Sequence, residues 1–265
     1  QGITEPVDPV LIKDKKGGLI TEDKFGKLKY YTRDLKKGEY TDDTICTLAI
    51  AESIAENKSL VLEDLVRRQV EVYKSCKQEN GHVKGGWGGS TKRAFEKIIS
   101  GVSVYDSGIK PGLGNGCCMK MSPVGLYMDS SEKNSQALSI ARDIGLATHK
   151  DERAVTAGVV QADAVYFLLG ENISKKDFLE YVVGSCEEFE KPFNKDFLEE
   201  KGSLKDKLKW VYDNEDIDCK DALSYLGNSS LAIESYPFTV FMFAKYFDEP
   251  VKGLLKTVNF GGDCD

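Results

Sequence analysis

The chain is short of the features that staple or anchor a protein. Its 7 cysteines are odd in number and include no Cys-x-x-Cys pair. That argues against a disulfide framework or a zinc ribbon and fits reduced thiols in a cytoplasmic protein. No apolar run reaches membrane-spanning length: Ala154 to Leu169 is broken by Gln161 and Asp163, and Leu231 to Phe247 contains Glu234 and Pro237. Nowhere do apolar and polar residues alternate with period two over a strand's length, so the signal for a half-buried sheet is missing. Basic charge is in deficit, 36 Lys and Arg against 43 Asp and Glu, for a formal net charge of -7. A broad nucleic-acid or anionic-membrane surface is thereby excluded, although a local basic group can still meet a phosphate. An initiator Met and a signal peptide are also missing, which reads as a processed or trimmed chain. Without a low-complexity linker, the 265 residues read as one domain spanning 1–265.

What the chain does have is carboxylate at two well-separated places. Glu39-Tyr40-Thr41-Asp42-Asp43-Thr44 runs into an apolar-periodic segment and reads as a helix start, where Thr and Asp accept hydrogen bonds from first-turn N–H groups. Two adjacent Asp exceed what capping needs, and the flanking hydroxyls crowd hard oxygen donors of the kind Mg2+, Mn2+ and Ca2+ prefer. Taken alone, an Asp-Asp helix start is more often a cap than a metal site. The chain closes, however, on Gly261-Gly262-Asp263-Cys264-Asp265, a second carboxylate pair on a glycine-freed turn. Two such clusters invite one shared metal site.

Between them the hydrophobic period is helical throughout. Helices are predicted from Thr41 to about Asn57, from Ser59 through Tyr73, and from a Ser90 cap to Gly101. Others follow over Ser131–Ala147, Asp151–Leu169, Ser174–Phe189, Ser203–Tyr212, Cys219–Leu226, Ile233–Phe247 and Val251–Val258, with Ser174 and Asp177 forming a capping-box variant. Residues 1–40 read mostly as loop. Gly81–Gly89 and Gly108–Gly116 are too glycine-rich for regular elements and are candidate binding loops. The fold class is therefore all-α, with loops between helices carrying the chemistry.

Several motifs, in order, resemble one family, the ADP-ribosylglycohydrolases. Tyr40-Thr41-Asp42-Asp43-Thr44 resembles its (W/Y/F)-T-D-D-T block, and Gly86-Trp87-Gly88-Gly89-Ser90-Thr91 its aromatic glycine loop. Gly114-Asn115-Gly116-Cys117-Cys118-Met119-Lys120 matches G-N-G-x-x-M-(R/K), and Thr148-His149 its T-H segment. Glu234-Ser235-Tyr236-Pro237 and Asn259-Phe260-Gly261-Gly262-Asp263-Cys264-Asp265 match its E-S/T-x-P and N-x-G-G-D-x-D blocks. The resemblance implies a compact multi-helix orthogonal bundle of the ADP-ribosylglycohydrolase type, working as a cytoplasmic monomer. It implies two Mg2+ ions, with Mn2+ as the alternative, held by Thr41, Asp42, Asp43, Asp263 and Asp265. The implied reaction removes ADP-ribose from an N- or O-linked acceptor, protein or small molecule, by attack of a metal-activated water on the anomeric carbon. Asp43 or Asp263 would take the water's proton, and Glu5, which falls on the family's acidic lid position, would protonate the leaving group. The family usually opens with a G-D-A-L-G helix end and continues past its last block with a hydroxyl residue and a helix; both are missing here, which reads as trimmed termini. A catalytically inactive, ADP-ribose-binding or structural relative is the alternative.

In the same reading, Gly112, Leu113, Gly114, Asn115 and Gly116 offer unobstructed main-chain donors to a diphosphate, with Lys110 or Lys120 adding charge and Met119 beside them; a plain turn is the other reading. His149 opens a helix and either contacts a bound sugar or phosphate or caps that helix. Trp87 either stacks on a base or lines the cleft, or packs half-buried. Cys117 and Cys118 lack a His-Asp pair and are not nucleophiles. The aromatic run from Tyr236 to Phe247 is core, and Lys175, Lys176, Lys205 and Lys207 lie on solvated helix faces.

Overall fold

The computed structural model describes residues 40–128, 134–193 and 201–263. Glu5, Asp265 and the Ser131 helix start lie outside them. Eleven α-helices form among the described residues: α1 (Asp42–Asn57), α2 (Leu62–Ser75), α3 (Gly89–Ile99), α4 (Ser122–Tyr127), α5 (Asn134–Leu146), α6 (Glu152–Phe167), α7 (Lys175–Phe189), α8 (Leu204–Asp213), α9 (Cys219–Leu226), α10 (Ala232–Lys245) and α11 (Pro250–Phe260). A 3-10 helix, Asn115–Lys120, precedes α4. No strand forms among the described residues, only isolated backbone bridges that tie loops together. None of their helices is long and apolar enough to cross a membrane.

Local chemistry explains most helix boundaries. Ser174 and Asp177 close a complete capping box on α7, and Asp151, Ser203 and Asp218 cap α6, α8 and α9 through their side chains. Two sequence expectations give way. Ser90 lies inside α3, whose N-cap is Gly88, and the Thr41 side chain at the N-cap of α1 accepts no hydrogen bond from a first-turn amide.

Helix α6 is the central pillar. Its residues Val155, Ala157, Val160 and Ala164 join a core with α7, α8, α9 and α10, while Val159 and Ala162 join a second core with α1, α2, α3 and α5. Residues such as Ile50, Leu65, Phe95, Leu179, Leu204 and Phe241 are almost wholly removed from solvent, each worth roughly 1.5–3 kcal/mol of transfer free energy. Glycine sets how closely α6 is approached. A Cβ on Gly125 of α4 would lie 2.2 Å from Ala162 O, and one on Gly158 would lie 3.2 Å from Cys117 O. The 3-10 helix can therefore lie directly on the pillar.

Two assignments of polarity change. Lys207 is buried, not solvated: its ammonium donates to Leu226 O at 2.7 Å, closing the C-terminal end of α9. In the aromatic run, Tyr236, Phe238 and Phe241 are core, whereas Phe243 reaches the surface.

Candidate active site

The site begins where α1 begins. Thr41 is buried and extended, and its hydroxyl donates to Asp43 Oδ2 at 3.3 Å. The Asp42 amide donates to Gly85 O at 2.8 Å, and Asp42 Oδ2 accepts from the Gly88 amide at 3.1 Å. These two bonds strap the first glycine loop over the head of α1. Gly85 and Gly86 permit the strap, since both have positive φ (109° and 78°). Trp87 turns away from the cleft. It is buried edge-on against Tyr73 and Phe95, and its indole N–H donates to Lys84 O at 2.9 Å. Of the two readings of Trp87, stacking or cleft-lining and packing, the structure has packing, deeper than half-buried, because the strap directs the ring into the pocket between α2 and α3.

The second glycine loop is shaped by His149. Ile109 N donates to Thr148 O and Lys150 N to Ile109 O, which docks the loop beside the end of α5. A Cβ on Gly112 (φ 62°) would lie 2.3 Å from Ile109 O and 2.9 Å from His149 Cα. One on Gly116 would lie 2.9 Å from His149 Cε1 and 3.1 Å from Thr91 Oγ1. Backbone leaves no room for a side chain at 112, and the imidazole leaves none at 116.

His149 does not open a helix: its amide donates to Gly145 O at 2.9 Å as α5 ends, and α6 starts beyond it with Asp151 as cap. Thr148 Oγ1 donates to Gly145 O and lies 2.8 Å from His149 Nδ1. The hydroxyl's lone pair then accepts from Nδ1–H, which assigns Nε2 as an acceptor. Burial first, and then the charges of Lys120 and Arg93, push the His149 pKa down to about 3, so the ring is neutral at physiological pH.

The chain returns to this place at its far end. Asn115 Nδ2 donates to Asp263 Oδ2, the Asp263 amide donates to Asn228 O at 2.8 Å, and the Asn115 amide donates to Ser230 O at 2.9 Å. Gly262 (φ 76°) allows the crossing, because a Cβ there would lie 2.4 Å from Asn228 O. Burial raises the Asp263 pKa to about 6.

A cavity of about 430 Å³ results, walled by Asp42, Asp43 and Asp263 at one end, by Gly112–Gly116 along one side, and by His149 and Met119. A second cavity of about 430 Å³ shares Asp43, Asn115, Met119 and Asp263, so those two carboxylates stand on the border between the cavities. Thr41 does not line either cavity and touches them through Asp43. Lys120 is buried behind the loop and Lys110 is exposed outside it. The cation on the cleft wall is instead Arg93 of α3. Sequence reading missed Arg93, along with Ser230 and Leu231, which reach the wall through backbone pairing with the loop and leave no local sequence signal. Cys117 and Cys118 are buried thiols whose pKa values burial pushes up, Cys117 to about 12. Neither is poised as a nucleophile.

The donor chemistry of Asp42, Asp43 and Asp263 is hard oxygen only, suited to Mg2+ or Mn2+. Asp263, desolvated with a raised pKa, is a carboxylate whose ionised form a nearby cation would stabilise. Among the described residues, no group of three His, Cys, Asp or Glu side chains converges closely enough to form a metal site by itself.

The chain matches the ADP-ribosylglycohydrolase family over residues 5–265. It is 28% identical to ADP-ribosylhydrolase ARH3 of Xenopus tropicalis, the match covering 89% of this chain and 74% of that protein. To ADP-ribosylhydrolase ARH3 of Mus musculus it is 25% identical, over 85% of this chain and 65% of the relative. A solved structure titled ADP-ribosylglycohydrolase-related protein complex superposes with a TM-score of 0.58 at 23% identity, covering 87% of this chain and 68% of that one.

Proposed function

The chain belongs to the ADP-ribosylglycohydrolase family, and from that premise we propose that it hydrolyses the glycosidic bond between ADP-ribose and an acceptor, using the cleft between α1 and Asp263. The observation that carries this reading is the arrangement of one cavity. Carboxylates from the first described helix and from the end of the last share it with a bare glycine loop. Main-chain N–H groups on such a loop, other than that of Asn115, which donates to Ser230 O, suit a diphosphate, and the adjoining carboxylates suit chemistry at the ribose.

Thr41, Asp42, Asp43, Asp263 and Asp265 would hold Mg2+ or Mn2+, which when bound would orient the ribose hydroxyls and lower the pKa of a water. The chain's own groups do the rest. Asn115 holds Asp263 Oδ2 and so orients that carboxylate, leaving Oδ1 and the second lone pair of Oδ2 for proton transfer. Neutral His149 accepts a hydrogen bond at Nε2 from a ligand hydroxyl and brings no positive charge of its own. Glu5 remains the proposed acid for the leaving group.

Arg93 supplies the cation that the sequence reading sought in Lys110 or Lys120. An Arg93→Gln variant is expected to raise KM about tenfold with kcat little changed, the effect shrinking as salt rises, since a guanidinium–phosphate contact is charge-assisted yet screened at an exposed site. Steady-state kinetics at low and high ionic strength check this, and an unchanged KM would exclude Arg93 from the diphosphate contact.

The reading as a whole is tested on a panel of ADP-ribosylated acceptors with Mg2+ or Mn2+, against a chelated control, by measuring ADP-ribose released. The alternative is a relative that binds ADP-ribose without turnover. It predicts calorimetric binding of ADP-ribose with no release from any acceptor.

A further inference from the structure

The turn between α9 and α10 touches both working walls of the cleft through its main chain. Its Ser230 carbonyl accepts from the Asn115 amide at 2.9 Å, and the Ala232 amide just beyond it donates to Leu113 O at 2.9 Å. Two residues before Ser230, Asn228 O accepts from the Asp263 amide at 2.8 Å. The turn itself is gripped by one buried carboxylate. Glu234 Oε2 accepts from Ser229 Oγ at 2.6 Å and from the Ser229 amide at 3.4 Å, while Oε1 takes Lys201 Nζ at 2.7 Å. Ser229 Oγ in turn accepts from the Leu231 amide at 3.3 Å. Gly227 (φ 78°) makes room for this, because a Cβ there would lie 2.7 Å from Glu234 Oε2. Glu234 itself lines neither cavity.

We infer that Glu234 is a positioning residue which, through the Ser229 hydroxyl, fixes the separation between the glycine loop and Asp263. The inference rests on the reading of the cleft as an ADP-ribose site. A buried Glu in the first turn of a helix is ordinarily a stabilising group at the positive end of the dipole. Here Oε2 meets the turn that joins the diphosphate wall to the carboxylate wall, and Oε1 is anchored by Lys201 from outside that turn. Glutamine replaces it only in part: with its oxygen on Lys201, its NH2 faces the Ser229 hydroxyl and amide, so the charge is lost, the hydroxyl must turn from donor to acceptor and the amide loses its acceptor.

The test uses the full chain and four proteins: wild type, Glu234→Gln, Ser229→Ala and Ser229→Thr. Binding of ADP-ribose is measured by calorimetry, with and without Mg2+, beside thermal denaturation. Both Glu234→Gln and Ser229→Ala are expected to bind about tenfold more weakly than wild type, with Ser229→Thr within about twofold, since one charge-assisted hydrogen bond is at stake. Ser229 is exposed, so Ser229→Ala keeps the test open if Glu234→Gln fails to fold. A role confined to stability would lower the melting temperature and leave the affinity of the folded protein alone. Wild-type affinity in both Ser229→Ala and folded Glu234→Gln overturns the inference, as does Ser229→Thr falling with Ser229→Ala. If the wild type binds no ADP-ribose, the reading of the cleft fails first and the inference falls with it.

Discussion

Asp263→Asn is expected to slow ADP-ribose release about a thousandfold while leaving the melting temperature at neutral pH within a few degrees of wild type. The two halves of that expectation have one cause. Asp263 is half-buried on the cleft wall, and burial raises its pKa to about 6. A folded-state pKa raised above the unfolded value contributes stability that is fully present below the unfolded pKa near 3.8 and is lost as pH rises through about 6. At pH 7 the ionised carboxylate therefore stabilises nothing, and replacing it removes a buried charge. Asparagine keeps the volume and an amide oxygen for Asn115, which donates to Asp263 Oδ2 in the native protein. What disappears is the negative charge, and with it the proton acceptor and cation ligand of the proposed reaction. Single-turnover release and a thermal melt decide the matter. A rate within tenfold of wild type would remove Asp263 from the chemistry.

Gly116→Val is expected to weaken ADP-ribose binding at least about a hundredfold. A Cβ at this position would lie 2.9 Å from His149 Cε1 and 3.1 Å from Thr91 Oγ1, and valine adds two methyl groups beyond it. The imidazole is tied by Nδ1 to Thr148 and packed under the loop, so relief comes from lifting the loop or ejecting the ring. Either movement spoils the main-chain donors, and overpacking of this kind typically costs about 1–3 kcal/mol before any ligand contact is lost. The milder Gly116→Ala isolates the cause. Combined with His149→Ala, which removes the obstructing ring, its effect on affinity should shrink, giving a coupling of about 1 kcal/mol or more in a double-mutant cycle. Additive effects would show that Gly116 matters for some reason other than the imidazole beneath it.

The helices were legible in the sequence because each carries its own period and, in several cases, its own cap. α9 appears with the bounds expected, and the α7 capping box forms as read from Ser174 and Asp177. The cleft residues Asp42, Asp43, Gly112–Gly116, Met119, His149 and Asp263 could be named through motif resemblance, and the structure lines one cavity with them. Trp87 was left between cleft and packing because a Trp between glycines gives no hint of which way the backbone turns it; two bonds from Asp42 to the loop decide that. Lys207 was misjudged for a related reason. Its neighbour Lys205 is partly exposed, and only the arrival of α9 at Leu226 O makes burial of one ammonium favourable. Arg93 went unremarked because a helix's polar face looks alike whether it borders solvent or a cleft.

The two hydrophobic cores have α6 as their common wall, and the carboxylates are divided between their territories: Asp42 and Asp43 open α1 on one side, while Asp263 follows α11, whose Phe260 packs against the other. The cleft thus lies between two jaws that rest on separate cores with α6 as the wall between them. A ligand that grips both jaws ties the loosening of either half to the loss of its own binding energy. Resistance to proteolysis should then rise along the whole chain, on helices far from the cleft as much as on the glycine loops themselves.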